Sequence, residues 1–402
     1  MSPRHLYVWL QLPDGQHVRA GELAFTEPVA GGRYQAAFRY ADSYLNFPDA
    51  FALDPANLPL SESEFGADML GPPLGAFADA LPDAWGRRLV ALRGQHDGRQ
   101  YHEPDMLLMR EGGGLGALEF YPPDKEPMLQ PAARIRDLEA LASAADRFDR
   151  GEEVPADLAM LFQAGSTPGG ARPKALVEDT AGRQWIAKFG LSRDDGDTVG
   201  LEYAAMETAR AAGLDVPVVR VVSLGESHKA LLVERFDVHP EGGRRHGLSF
   251  SALLKESRFY SVTSYRQVFD ALRRYTERDP IEDLSRLFRQ AAFNAVICNR
   301  DDHLKNLMLL RDEQGYGLSP AFDLLPNVGR RVEHVLAYGE TTYPPSRQTL
   351  LGLAERLGLP AIEILDEVIE AAGHFPMFSR EAGVPAAEVE RFSNEIDLRR
   401  AR

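Results

Sequence analysis

Cysteine is nearly absent from this 402-residue chain: Cys298 stands alone. A single thiol excludes an intramolecular disulfide and a zinc site built from C-x-x-C pairs. No apolar run approaches the ~20 residues that span a bilayer, so no membrane association is expected. The opening MSPRHLYVWLQLPDG lacks the charge, apolar block and small cleavage residues of a leader and reads as a strand. A cytoplasmic enzyme is the simplest expectation. Positive charge is scarce too, with 45 Lys and Arg against 60 Asp and Glu, a formal net charge of -15. Nucleic-acid backbones are bound mainly by neutralising phosphates, so direct DNA binding is not expected. The basic spots Arg87-Arg88, Arg244-Arg245-His246 and Arg399 to Arg402 read as solvated loops and a frayed tail. Repeats and low-complexity segments are missing as well.

What is present is an ordinary apolar fraction of 44%, enough to bury real cores. To about Tyr121, short alternating stretches such as Leu6 to Leu10 and Tyr34 to Tyr40, punctuated by Gly15, Gly21 and Gly31-Gly32, predict small antiparallel sheets. A helix is predicted across Ala80 to Leu89 with Pro82 in its first turn. Pro122 to Pro127 reads as a linker. Lys174 to Glu178 and Arg183 to Phe189 flank Asp179 to Gly182 as a hairpin. A helix from about Thr198 to Ala212 ends at Gly213, and strands follow over Val216 to Val222 and Leu231 to Phe236. From about Leu248 the pattern is helical, most clearly over Tyr265 to Tyr275 and Ile281 to Ile297, with further helices from Ser346 to Arg400.

The most informative stretch is Cys298-Asn299-Arg300-Asp301-Asp302-His303-Leu304-Lys305-Asn306, a polar island between two apolar runs. Taken alone, it reads equally well as a charged turn in which Asp301 or Asp302 caps something and Asn306 closes the loop. Spacing shifts that balance. Kinase catalytic loops place an aspartate five positions before an asparagine, one to orient the attacking hydroxyl and one to reach magnesium, and Asp301 and Asn306 have that separation. A second metal-binding aspartate is needed downstream, after a strand pair, and Asp323 in Ser319-Pro320-Ala321-Phe322-Asp323-Leu324-Leu325-Pro326 is placed for it. Upstream, a strand lysine must meet ATP phosphates and a helix glutamate must hold it. Lys188, in Trp185-Ile186-Ala187-Lys188-Phe189, and Glu202, near the start of the next helix, fit those roles. Each has a plainer reading, as an edge-strand lysine that discourages aggregation and as a glutamate favoured by the helix dipole. The four-part order makes coincidence improbable. Backbone groups near Glu234 and Phe236 are the candidates for pairing with adenine, by position alone.

The glycine-rich Gly165-Ser166-Thr167-Pro168-Gly169-Gly170-Ala171-Arg172-Pro173-Lys174 sits where a phosphate-covering loop belongs, although it is neither G-x-G-x-x-G nor a Walker A sequence. Together with the Lys188 strand, the Asp301-to-Asn306 loop, Phe322 to Pro326 and Leu81-Pro82-Asp83-Ala84-Trp85-Gly86, it resembles the HipA-like serine/threonine kinases over nearly the whole chain. That resemblance implies an α+β, bilobal protein-kinase-like fold with an N-terminal β-rich subdomain and a mainly helical C-terminal lobe. Its expected divisions are residues 1–125, a small lobe over 126–240 and a helical lobe over 241–402. It implies ATP and Mg2+ as cofactors, Asp301 as catalytic aspartate, Asn306 and Asp323 as metal ligands, and Lys188 as the ATP lysine. The family's members are typically toxins paired with a small helix-turn-helix, HipB-like antitoxin that contacts operator DNA, and their known protein targets include aminoacyl-tRNA synthetases. The family often autophosphorylates a serine in this loop, where the matching position is Thr167, beside Ser166; Gly169 and Gly170 would approach the phosphates. By contrast, Gly112-Gly113-Gly114-Leu115-Gly116-Ala117 reads as a structural turn. Asp301-Asp302-His303 also resembles the D-R-H-x-x-N loop of phosphoinositide-type kinases, so His303 is a candidate to support Asp301 or substrate phosphates, or simply to brace the loop, and Lys305 to neutralise the transferring phosphoryl group or form a local ion pair. Two other readings stay open: an antitoxin-binding co-repressor scaffold, and a small-molecule kinase.

Overall fold

In a computed structural model the protein is described over residues 4–109, 114–127, 133–134, 138–152, 172–192, 194–225, 228–255, 263–327 and 332–401. The chain divides into two compact units whose segments alternate along the sequence. The first takes Met1–Ala187, Arg235–Arg258 and Leu310–Asp312; the second takes Lys188–Glu234, Phe259–Leu309 and Glu313–Arg402. Both mix helix and sheet. Among the described residues no helix is long and apolar enough to cross a membrane.

The first unit opens on an antiparallel sheet of β1 (His5–Gln11), β2 (His17–Phe25), β3 (Gln35–Tyr40), β4 (Phe65–Asp68) and β5 (Leu118–Tyr121), in the order β4-β3-β2-β1-β5. Alternation dictates its buried face: Leu6, Val8 and Leu10 of β1 are fully buried and Ala36, Phe38 and Tyr40 of β3 nearly so. Gly21 lets β2 approach β3, since a Cβ there would lie 2.3 Å from the Arg39 carbonyl oxygen. Phe77 tilts against Phe38 at 4.8 Å between centroids and closes the core.

The helix expected over Ala80 to Leu89 instead spans Ala84–Asp97. Asp83 is a stronger start signal than the proline: its carboxylate accepts the Gly86 N–H at 2.8 Å, and Pro82 falls outside the helix. The same carboxylate meets Lys174 Nζ at 2.7 Å, with both side chains buried. That pair ties the helix start to the first residue of β7 (Lys174–Glu178), which runs parallel to β6 (Ala133–Arg134). After the predicted turn, where Asp179 Oδ1 accepts the N–H groups of Ala181 and Arg183, β8 (Gln184–Phe189) carries the chain out of the first unit, so Lys188 and Phe189 belong to the second. The first unit also holds the buried pair Arg235–Asp237. Arg235 donates to the Gly114 carbonyl at 2.6 Å and Asp237 accepts the Gly116 N–H at 2.7 Å, so these glycines serve a structural turn, as read from the sequence. Burial alone would push the Asp237 carboxyl up, but the Arg235 guanidinium holds it below the ordinary range.

In the second unit, the helix Thr198–Ala211 is followed by β9 (Val219–Leu224) and β10 (His228–Glu234), paired antiparallel with Val222 opposite Ala230. The helices Tyr265–Tyr275 and Pro280–Val296 lie within a residue or so of their sequence-expected bounds. Asp279 caps the second of these, accepting the Ile281 N–H at 2.9 Å, with Pro280 in its first turn. Leu287, Phe288, Ala291, Ala292 and Phe293 of this helix are fully buried and form the unit's core with the C-terminal helices Ala361–Ala372 and Ala386–Arg400. The helices Arg347–Ala354 and Phe375–Glu381 complete the set expected from Ser346 onward.

Candidate functional site

The long core helix hands the chain to the polar loop through a non-glycine left-handed residue. Cys298 has φ 60°, the conformation that usually falls to glycine just past a helix end. Asn299 then donates its N–H to the Asn294 carbonyl at 2.9 Å, a bond that wraps over the helix terminus. The turn delivers Asn299, Arg300 and Asp301 at the end of a rigid element, a precise mount for a reactive side chain.

Within the loop, Asp301 is exposed while Asp302, His303 and Asn306 are buried. The Asp301 carboxylate has no hydrogen-bond or ion-pair partner among the described residues. Its carbonyl accepts the His303 N–H at 2.9 Å and the Asn306 Nδ2–H at 3.3 Å. The Asn306 Oδ1 atom is buried with no hydrogen-bond partner among the described residues. A buried amide oxygen left in that state is costly unless a ligand completes it. Leu304–Asn306 forms a single 3-10 turn that includes Lys305, which is half-buried.

The second constellation comes from three elements of the same unit. Lys188, at the end of β8, places Nζ 2.5 Å from Glu202 Oε1 and also pairs with Asp323. Burial alone would lower the lysine's pKa, but the two carboxylates reverse the effect and hold it above its ordinary value. Glu202 sits in the second turn of the helix Thr198–Ala211, whose start is fixed by Asp197 accepting the Gly200 N–H at 3.0 Å. Asp197 is itself gripped by Lys229 Nζ at 2.6 Å, which also donates to the Ala382 and Gly383 carbonyls. Asp323 has φ 58°, a left-handed backbone that a β-carbon resists and that a site must enforce. One ammonium between two carboxylates leaves the trio with a net negative charge, a favourable setting for a divalent cation.

Asn306 and Asp323 supply oxygen donors of the hard kind that Mg2+ prefers. No group of three or more His, Cys, Asp or Glu side chains able to hold a metal exists among the described residues. Mg2+ needs no such cage, because it is commonly held by one or two carboxylates together with phosphate oxygens and waters. The orphaned Asn306 Oδ1 and the acidic trio fit that donor set.

The adenine candidates fall in different units, since the border runs between Glu234 and Arg235. In the second unit the Glu234 N–H donates to the Val218 carbonyl at 2.9 Å; in the first the Phe236 carbonyl accepts from Arg245 Nη1 at 3.0 Å. Ser166, Thr167, Gly169 and Gly170 lie outside the described residues.

Sequence reading missed the scaffold beneath the loop. Asp302 accepts from Tyr265 Oη at 3.0 Å and from the Val335 N–H at 3.2 Å. Arg300 reaches Glu395 of the C-terminal helix at 3.1 Å, and Arg399 joins the same carboxylate at 2.5 Å. The sole signal for Asp302 was its place beside Asp301, and its partners are 33 or more positions away.

Residues 166–375 match the family described as the HipA-like C-terminal domain. The chain is 28% identical over 423 aligned positions to "Putative kinase Y4mE" of Sinorhizobium fredii, covering 99% of this chain and 90% of that protein. It is 26% identical to the serine/threonine-protein kinase toxin HipA of Shewanella oneidensis, over 50% of this chain and 51% of that one. The solved structure of a Shewanella oneidensis HipA with HipB and operator DNA superposes with a TM-score of 0.73 at 20% identity, covering 99% of this chain and 97% of the other.

Proposed function

The chain belongs to the family of proteins with a HipA-like C-terminal domain, and from that membership we propose that it is an ATP- and Mg2+-dependent serine/threonine protein kinase. The observation that carries the reading is the trio Lys188, Glu202 and Asp323, three kinase-type residues drawn from 135 positions of chain into one ion-paired cluster. In this reading the fold is bilobal, with a small lobe over 126–240 and a helical lobe over 241–402 following, in sequence, the N-terminal subdomain of residues 1–125.

Lys188, held by Glu202, binds ATP phosphates and exchanges its Asp323 contact for them when nucleotide enters. Asn306 Oδ1 and the Asp323 carboxylate would hold Mg2+, which would supply neutralisation of the phosphate charge. Asp301, exposed at the mouth of a braced loop, orients the substrate hydroxyl and accepts its proton as the phosphoryl group transfers. Lys305 and His303 flank that exchange on the same loop, and the Glu234 backbone of the same unit is the candidate to meet adenine. Ser166, Thr167, Gly169 and Gly170 form the phosphate loop, with Thr167 or Ser166 as the autophosphorylated position.

The substrate class is a translation-related protein such as an aminoacyl-tRNA synthetase, and the regulatory partner a HipB-like helix-turn-helix antitoxin. With a net charge of -15, the chain would meet DNA only through that partner, in the cytoplasm. Transfer of radiolabel from ATP in the presence of Mg2+ tests the reading, wild type beside Asp301→Asn. Label on the chain or on a lysate protein, reduced on the order of 100-fold or more in the variant, is the expected result. Near-normal turnover by Asp301→Asn would sink it.

A further inference from the structure

Asp301 and Asp302 are adjacent and opposite in environment. Asp301 is exposed, whereas Asp302 is 2% exposed. Both Asp302 oxygens are engaged from elements distant in sequence. Oδ2 accepts from Tyr265 Oη at 3.0 Å and lies 3.4 Å from Tyr338 Oη. Oδ1 accepts the Val335 N–H at 3.2 Å, with His334 Nδ1 at 3.6 Å. The partners are themselves fixed. Tyr265 Oη accepts from Asn294 Nδ2 at 3.0 Å, Asn294 Oδ1 accepts from Asn299 Nδ2 at 3.0 Å, and Tyr338 Oη donates to the Ala291 carbonyl at 3.0 Å. One carboxylate thus joins the polar loop, the start of the helix Tyr265–Tyr275, the core helix Pro280–Val296 and the segment His334 to Tyr338.

The segment is fastened along its length. Val335 N–H also reaches the Arg300 carbonyl at 3.2 Å, Ala337 exchanges backbone bonds with Thr263 and Tyr265, and Tyr338 closes a bridge with Thr341. A carboxylate with no water around it is tolerated only where hydrogen bonds compensate it, and Asp302 has them on both oxygens. A neutral Tyr265 suits it as donor, with the Tyr338 hydroxyl packed beside it: burial, with the nearby Asp302 charge adding to it for both, holds Tyr265 and Tyr338 well above the ordinary phenol range.

We propose that Asp302 is a positioning residue, which locks the backbone of the 301–306 loop to the segment 334–338 and so fixes the direction from which Asp301 meets a substrate. Its effect on rate rests on the kinase reading above; the fastening itself does not. Misplacing a reacting group by about 1 Å costs on the order of 100-fold in rate, so loosening the lock should fall on turnover and spare nucleotide binding.

The experiment compares wild type, Asp302→Asn, Asp302→Ala and Tyr265→Phe/Tyr338→Phe by amide hydrogen exchange and by steady-state phosphate transfer. Exchange at residues 300–303 and 334–338 should rise together in all three variants, while the core of Pro280–Val296 keeps its protection. The kcat should drop on the order of 10- to 100-fold in Asp302→Ala, with KM for ATP changed less than about twofold. Adding Asp302→Asn to the tyrosine pair should cost less than the sum of the separate losses, because both remove one lock. Unchanged exchange at both segments in Asp302→Ala overturns the proposal, as does a loss that appears in KM for ATP rather than kcat. Should Asp302→Ala not fold, the tyrosine variant decides by the same two readouts. A wild type that transfers no phosphate defeats the kinase reading, and the exchange data alone then decide the fastening.

Discussion

At the scale of single residues, charge placement does most of the discriminating. Lys188→Met would leave Glu202 and Asp323 without their shared cation. Calorimetry should show ATP affinity falling at least tenfold, with the melting point lowered, because Glu202 is buried and loses its partner. Asp54 tests a different consequence of burial. It is fully buried in the first unit and accepts from Asn57 Nδ2 at 2.8 Å, while Asn57 also donates to the Ala252 and Leu253 carbonyls. Burial lifts its carboxyl to about 6, against hydrogen bonds from Asn57 and Ala56 that pull it down. The folded state therefore holds a proton that the unfolded chain, titrating near ~3.9, releases first. Between pH ~4 and ~6 the native state binds more protons, so stability falls as pH rises through that window. Urea unfolding of wild type and Asp54→Asn should show the wild type losing up to about 3 kcal/mol relative to the variant from pH 4 to 7. Lys188, Glu202 and Asp323 could be singled out because phosphoryl transfer would set their types and order, and the structure brings the three together. Asp302 was not legible in the same way, since a carboxylate's burial depends on Tyr265 and Tyr338, each more than 30 positions away.

At the scale of elements, the helix carrying Glu202 shows how packing overrides propensity. Gly200 lies in its first turn, where alanine would favour the helix by about 1 kcal/mol. A Cβ there would stand 2.6 Å from Val384 Cγ2 and 2.8 Å from Asp197 Oδ2. Gly200→Ala is therefore expected to destabilise by about 1–2 kcal/mol in denaturant unfolding, and to reduce phosphate transfer by displacing Glu202. Helices with a strong apolar stripe, Tyr265–Tyr275 and Pro280–Val296, were readable almost to the residue. The helix at Ala84–Asp97 was placed four residues early because Pro82 was given the first turn, when Asp83 held the better capping group. The strands β9 and β10 each slipped by about three residues, as short apolar runs carry no sharp terminal signal.

At the scale of the whole molecule, the chain's path matters more than its length. The first unit is incomplete without Arg235–Arg258. His246 Nε2 lies 2.9 Å from the Leu53 carbonyl oxygen, Ser249 donates twice to Asp79 at 2.8 Å, and Asp237 holds the Gly116 N–H. Residues 1–187 made alone should consequently lack a cooperative unfolding transition and exchange their amides rapidly, and a fragment ending after Arg258 should recover protection in β1 to β3. The same interleaving sets an order in time. A ribosome adds about 5–20 residues each second, so Lys188 waits roughly 7–27 s before Asp323, 135 positions on, exists to pair with it. Glu395, which braces Arg300, arrives later still. A nascent chain therefore passes through a long stretch of its synthesis without the constellation on which the proposed activity rests, and gains it only once Asp323 and then Glu395 have been made.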